Sequence, residues 1–244
     1  MGSHDFYEPR VWGYVYKRPL SYDFTWNVAT DLRKPFRIYT SISVTNHPGN
    51  KNFSYEIGLV PRIRFSDRFT ITVNSSYTKD LNDNGWVDTR YDSLNNPTIY
   101  FGRRDISTIN NILSASYIFN TKISLSLRVR HYWSKVNYLD YYSLNSDGDL
   151  KPNNYWQDHN INFNAFSTDL QFIWYFAPGS ELSVVWKNYI MTMGDKLDKD
   201  YIAAIQTTFN APQTNSFSVR ILYYLDYLFI RKVFSKKQSR QNKL

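Results

Sequence analysis

Lys122-Ile-Ser-Leu-Ser-Leu-Arg-Val-Arg130 alternates without a break. Ile123, Leu125, Leu127 and Val129 fall on one side of an extended chain. Ser124, Ser126, Arg128 and Arg130 fall on the other. A period of two belongs to a strand whose two faces meet unlike surroundings. The pattern recurs. Phe69, Ile71, Val73 and Tyr77 oppose Thr70, Thr72, Asn74, Ser76 and Thr78, and Phe217, Val219, Ile221, Tyr223 and Leu225 oppose Ser216, Ser218, Arg220 and Asp226. An apolar face against a Ser/Arg face, repeated in long strands, predicts an all-β chain forming a transmembrane antiparallel β-barrel.

Nine strands are expected, at Leu20–Asp31, Pro35–Asn46, Asn52–Phe65, Arg68–Lys79, Thr98–Phe119, Lys122–Asn137, Asn160–Phe176, Glu181–Met193 and Thr214–Phe229. Each exceeds the roughly 9–11 residues that cross a bilayer at a tilt. The connections alternate in length. Asp31–Pro35, Ser66–Asp67, Asn120–Thr121 and Ala177–Ser180 are short; Asn46–Lys51, Asp80–Pro97, Val136–His159 and Gly194–Gln213 are long and polar. Outer-membrane barrels have short periplasmic turns and long external loops. Phe36, Phe65, Phe69, Tyr117, Phe119, Trp174, Tyr175 and Phe176 crowd the short turns, as an interfacial aromatic girdle would. A soluble β-sandwich with an aromatic core is the rival architecture.

Composition agrees with a barrel and excludes other classes. The chain has 244 residues, with aromatics at 18%. Mean hydropathy is −0.51, and no apolar run approaches the roughly 20 residues of a spanning helix. A barrel's average hides its lipid face, because half of each strand is polar. There are no cysteines, so disulfides and Cys-based metal or nucleophile chemistry are absent. The net charge is +8, concentrated in Arg231, Lys232, Lys236, Lys237, Arg240 and Lys243. These read as a solvated basic tail, not a nucleic-acid surface, which would set its cations among stacking aromatics on a folded face.

Direction sets further expectations. The first and the ninth strand both run toward the short-turn side, which places the C-terminus in the periplasm. Single-chain bacterial barrels have even strand numbers, so further strands are expected upstream, with a signal sequence that Met1-Gly-Ser-His-Asp5 does not supply. The expected organisation is an external-loop remnant at 1–19, a partial barrel at 20–230 and a periplasmic tail at 231–244. A stretch near 199–210 reads as a short surface helix capped by Asp198, or else as a tenth strand.

Several segments carry a resemblance: Asp5-Phe-Tyr-Glu-Pro-Arg10, Phe101-Gly-Arg-Arg-Asp105, Arg128-Val-Arg-His-Tyr-Trp133, Phe176-Ala-Pro-Gly-Ser-Glu-Leu182 with Val185-Trp-Lys187, and Tyr223-Tyr-Leu-Asp-Tyr227. In order, these resemble the barrel half of an uncharacterised Gram-negative outer-membrane family, domain of unknown function 5916. The resemblance implies a partial chain whose family places a carbohydrate-binding module of the family-nine-like type before the barrel. It implies no catalytic residue.

Chemistry is sparse in the residues themselves. His4, His47, His131 and His159 show no metal-ligand spacing. Asp80-Leu-Asn-Asp-Asn-Gly85 opens like a calcium loop, but the twelfth position, which should be Glu, is Tyr91. No cofactor is expected. A hydrolase would have to assemble across strands around His131, the single strand-borne histidine. Arg62, Arg64, Arg128, Arg130, Lys187 and Arg220 lie on the polar sides of their strands. They read either as an electropositive lumen for anionic or sugar ligands, or as ion-pair partners of Glu56, Asp169, Glu181 and Asp226. The expected partners are outer-membrane lipid, the upstream strands and a glycan ligand.

Overall fold

Alternation becomes one large antiparallel sheet in the computed structural model, which describes residues 3–48, 51–196 and 201–225. The elements are β1 (His4–Asp5), β2 (Tyr16–Lys17), β3 (Tyr22–Ala29), β4 (Phe36–Asn46), β5 (Phe53–Arg64), β6 (Phe69–Tyr91), β7 (Pro97–Asn120), β8 (Ile123–Leu144), β9 (Leu150–Pro152), β10 (Ile161–Ala177), β11 (Ser180–Gly194), α1 (Tyr201–Phe209) and β12 (Gln213–Leu222). The sheet runs β12-β11-β10-β8-β7-β6-β5-β4-β3, with β9 added on β8. β1 and β2 pair only with each other. All nine expected strands are present, and the expected helix is α1. Its expected cap, Asp198, lies outside the described residues, as do the basic tail and the end of the last strand beyond Leu225.

Tight connections hold the short-turn end. Between β10 and β11, Ala177 pairs with Ser180, so Pro178 and Gly179 form the whole turn. Proline presets φ, and Gly179 takes the positive φ of 70° that the next position requires. Aromatic rings line this end: Phe65 stacks on Phe69 at 5.1 Å, Phe69 meets Tyr117 at 5.8 Å and Tyr117 meets Phe119 at 4.7 Å.

The opposite end departs from expectation. The segments 80–97 and 136–159 are expected as long loops. Instead β6 continues to Tyr91, β7 begins at Pro97 and β8 runs to Leu144. Bulges near Asp80–Asp83 and Trp86–Asp88 interrupt the register there, and Asn82 takes a positive φ of 55°. Polar composition conceals a strand once neither face is uniformly apolar, because the period-two contrast disappears. The calcium-like opening is part of this bulged strand: Asp83 pairs with Arg104 at 2.9 Å, and Ser54 donates to Asp80 at 2.5 Å.

A buried apolar cluster lies on this extension. Tyr16, Ile99, Phe101 and Leu144 form it, with the Tyr16 and Phe101 rings 4.9 Å apart. The N-terminal segment therefore packs onto the extension. Glu8 accepts the Trp86 amide at 2.9 Å, and the Arg10 guanidinium sits 4.0 Å from the Trp86 ring centroid.

The sheet is open among the described residues, because β3 and β12 each have one neighbour and no closed barrel forms. Its apolar stripe is nevertheless staggered. One hydrogen-bonded row runs Val28, Thr40, Leu59, Ser75, Asn111, His131, Phe166, Ile190, Gln213. In β3 the apolar residues Tyr22, Phe24, Trp26 and Val28 centre on position 25, three residues before Val28. In β12, Phe217, Val219 and Ile221 centre on Val219, six residues after Gln213. The apolar stripe thus slips by about nine residues over the eight steps of the row. At about 3.4 Å per residue and 4.8 Å per strand, this is an inclination of about 40° between stripe and row. Strands of closed membrane barrels tilt by about 35–45°.

Candidate functional site

The polar face of the sheet gathers the cations. Direct cross-strand pairing places Arg37, Arg62, Thr72, Ser114, Arg128, Asp169, Lys187 and Ser216 in a single row from β4 to β12. At about 4.8 Å per strand, Arg62 and Arg128 stand about 14 Å apart, and Arg128 and Lys187 about 10 Å. Arg64 lies in the adjoining row with Thr70, Ser116, Ser126 and Gln171. Arg130 lies in the row on the other side, between Ile112 and Ser167. An open groove of about 860 Å³ follows these rows, lined by Arg62, Arg128, Lys187, Asp169 and the hydroxyls of Thr70, Thr72, Ser114, Ser116 and Ser126.

Two of the six expected cations are paired. Arg220 donates to Glu181 at 2.8 Å, and Lys187 lies 3.8 Å from Asp169. Arg62, Arg64, Arg128 and Arg130 have no carboxylate within 4 Å among the described residues. Glu56 makes no ion pair there either, and Asp226 lies outside them. Arg37, which is not among the six expected cations, belongs to the same row. Its signal was available, since Arg37 alternates with Ile38 at the start of a Ser/Thr-faced strand. Its guanidinium donates to the Leu32 carbonyl at 3.0 Å. Guanidiniums held over a hydroxyl-lined groove bind anions through fixed multiple donors, while Ser and Thr both donate and accept.

His131 lies on the other face. It is 8% exposed, and its Nδ1 is 3.1 Å from the Tyr201 hydroxyl, which also accepts from the Asn111 side-chain amide at 2.7 Å. Among the described residues no serine or carboxylate hydrogen-bonds to it. His159 sits far from it in the extension, with its Nε2 2.8 Å from the Tyr155 hydroxyl. The same hydroxyl is 3.0 Å from Asp88 and 2.7 Å from Gln157. Arg90 caps the group, 3.2 Å from Asp88 and 4.9 Å from the Tyr155 ring centroid. Burial alone would raise the Asp88 carboxyl, but hydrogen bonds from Tyr155, Arg90 and the Thr89 amide hold it below the usual carboxylate range. Burial, reinforced by Asp88, raises the Tyr155 hydroxyl. The sequence reading missed this cluster because it falls in segments expected to be loops. No cluster of three or more metal-ligating side chains occurs among the described residues.

Compared with known proteins, the chain matches one family model, a domain of unknown function (DUF5916), over residues 1–234. No curated protein and no solved structure matches it.

Proposed function

We propose that this chain, which belongs to the DUF5916 family, is part of the wall of an outer-membrane β-barrel, with an arginine-lined lumen that passes or holds anionic or sugar-bearing solutes. The observation that carries this reading is the staggered apolar stripe. A strand row crossing a flat membrane at an angle must exchange its lipid-facing residues strand by strand, and the slip of about nine residues corresponds to the inclination a closed barrel needs. The exposed apolar side chains of strands paired on both sides support it, with Ile57 46%, Leu59 43% and Leu113 36% exposed on one face. A stripe of this kind marks a lipid or partner surface. A sandwich would need a second sheet over it, and the described residues supply only the two-residue pair β1–β2.

In this reading the short turns and their aromatic ladder lie on the periplasmic side, and the extension with its Tyr16–Phe101 core projects outward. β3 and β12 run in the same direction, so antiparallel closure needs an odd number of additional strands. These strands and outer-membrane lipid are the partners. The role is surface display or transport, not turnover. The hydrolase alternative requires a nucleophile or acid beside His131, and Tyr201 occupies that position.

The test is ion selectivity of the full-length protein in planar lipid bilayers. A conductance favouring anions, reduced by Arg62→Glu with Arg128→Glu, is the expected result. A protein that stays monodisperse in plain buffer and shows no conductance overturns the reading.

A further inference from the structure

α1 lies on the same face as Leu125, Leu127 and Val129. Its contacts establish this: Tyr201 touches Asn111, His131 and Trp133, and Phe209 packs on Phe166 at 4.9 Å. Asn111 and His131 pair directly across β7 and β8, and His131 pairs with Phe166 across β8 and β10. All of these residues belong to the face that the lower rows fill with Leu127, Leu170, Trp186 and Phe217.

On that face the apolar rows end just below the helix. The row of Val129 continues into Thr168, Asn188 and Asn215. Two rows further toward the long-loop end, Trp133 pairs with Asn164, which pairs with Thr192. Where the stripe gives way to amides and an imidazole, α1 covers the wall. His131, Asn164, Asn188 and Ile190 are buried there, and one hydroxyl, that of Tyr201, lies within hydrogen-bond distance of both the Asn111 amide and His131 Nδ1.

The outward side of α1 carries Ile202, Phe209 and one amide, Gln206, and no charge. Tyr201-Ile-Ala-Ala-Ile-Gln-Thr-Thr-Phe209 contains no charged residue. Ala204 and Thr208 point to the wall, while Ile202 is 61% and Phe209 49% exposed. A surface helix in water ordinarily places charge on its outer face.

We propose that α1 is an interfacial helix, seated on the outer wall of the barrel where the apolar stripe ends, with Ile202 and Phe209 inserted among the headgroups and upper acyl chains of the outer leaflet. The proposal rests on the barrel reading above and names lipid as the partner of this one element. Its inner side removes polar wall groups from lipid contact, and its outer side extends the lipid-facing surface upward.

The chain has no cysteine, so once any cysteine in the remainder of the full-length protein is replaced by serine, a single introduced cysteine takes a spin label uniquely. Four single variants of the full-length protein, Ile202→Cys, Leu125→Cys, Ser126→Cys and Asn95→Cys, are labelled in phospholipid vesicles. Collision with oxygen, which concentrates in lipid, is compared with collision with a water-soluble nickel complex. Leu125 should give the highest oxygen-to-nickel ratio and Asn95, in the β6–β7 turn, the lowest. Position 202 should lie several-fold above position 95 and below position 125. Phe209→Cys, labelled in the same way, should agree with 202. If 202 and 209 match Asn95 while Leu125 remains lipid-exposed, α1 is not interfacial and the barrel reading survives. If Leu125 is as nickel-accessible as Ser126, the barrel reading itself fails.

Discussion

Arg128 and Asp169 face each other directly across β8 and β10, yet the ion pair that Asp169 makes is with Lys187, its neighbour on the other side, at 3.8 Å. One carboxylate thus serves the β10–β11 side of the row, while Arg62 and Arg128 have no carboxylate within 4 Å among the described residues. On the proposed channel reading, removing that carboxylate should strengthen a preference for anions. Asp169→Asn is expected to move the reversal potential in a salt gradient further toward anions, and Arg128→Glu to move it several-fold toward cations. If neither substitution changes selectivity, this row does not line the conducting path.

Leu125 shares a row with Phe172 and Val184 in the middle of the β8 apolar run. Ser126, next to it, points into the groove. Leu125→Arg should therefore cost about 2–4 kcal/mol of folding free energy in lipid vesicles, the depth-dependent cost of arginine on a lipid face. Ser126→Arg should cost well under half as much. Equal costs would mean that Leu125 does not face lipid.

The edges of the sheet give a third expectation. Every described residue of β3 and β12 is exposed, and each strand has one neighbour. In the isolated chain in detergent, backbone amides of Tyr22–Ala29 and Gln213–Leu222 should exchange with solvent orders of magnitude faster than those of the paired β7–β8 centre. Strong protection of both edges would show that this chain closes on itself or on a second copy.

The extension built by the ends of β6, β7 and β8 should respond to acid. Asp88 and Asp5 both have carboxyl pKa values held below the ordinary range. In each, burial acts upward but is outweighed, at Asp88 by bonds from Tyr155, Arg90 and the Thr89 amide, and at Asp5 by the Glu8 and Tyr7 amides and Arg18. A depressed folded-state pKa stabilises above the unfolded value and loses that contribution as pH falls through the folded one. Proteolysis between Leu144 and Ile161 should accelerate below about pH 4, the region of an unperturbed aspartate. In Asp88→Asn this segment should already be more susceptible at neutral pH, and the acid step should shrink. An unchanged acid profile would show that Asp88 does not anchor it.

Gly102 tests how closely the extension is packed. A Cβ there would overlap the Tyr138 ring and approach Val87 Cγ2 to 2.9 Å. Gly102→Ala should destabilise by about 1–3 kcal/mol, as overpacking does. It should lower the urea midpoint for loss of structure in the extension while leaving the β8–β10 pairing intact. An unchanged midpoint would mean that the ring moves aside freely.

Much of the fold is legible residue by residue. The alternation in Lys122–Arg130 fixes a strand and its two faces, and Pro178-Gly179 fixes a turn, because both depend on geometry within a few residues. The nine strands and the helix at Tyr201–Phe209 follow from such local signals. The continuation of β6 past Asp80 and of β8 past Val136 does not, since the apolar contrast ends where the strands pack on their own extension, and side-chain pattern is the only local trace a strand leaves.

The candidate site divides in the same way. That Arg62, Arg128 and Lys187 are on polar faces is written in their immediate neighbours. That they share one row with Arg37, that Asp169 pairs with Lys187 and not with Arg128, and that α1 covers His131 depend on strand register. Register is set by hydrogen bonds between residues far apart in the chain, and a slip of one residue would turn every side chain to the other face. The sequence alone therefore determined which residues belong to an apolar face and which to a polar one, and only the tertiary structure decided which of them meet.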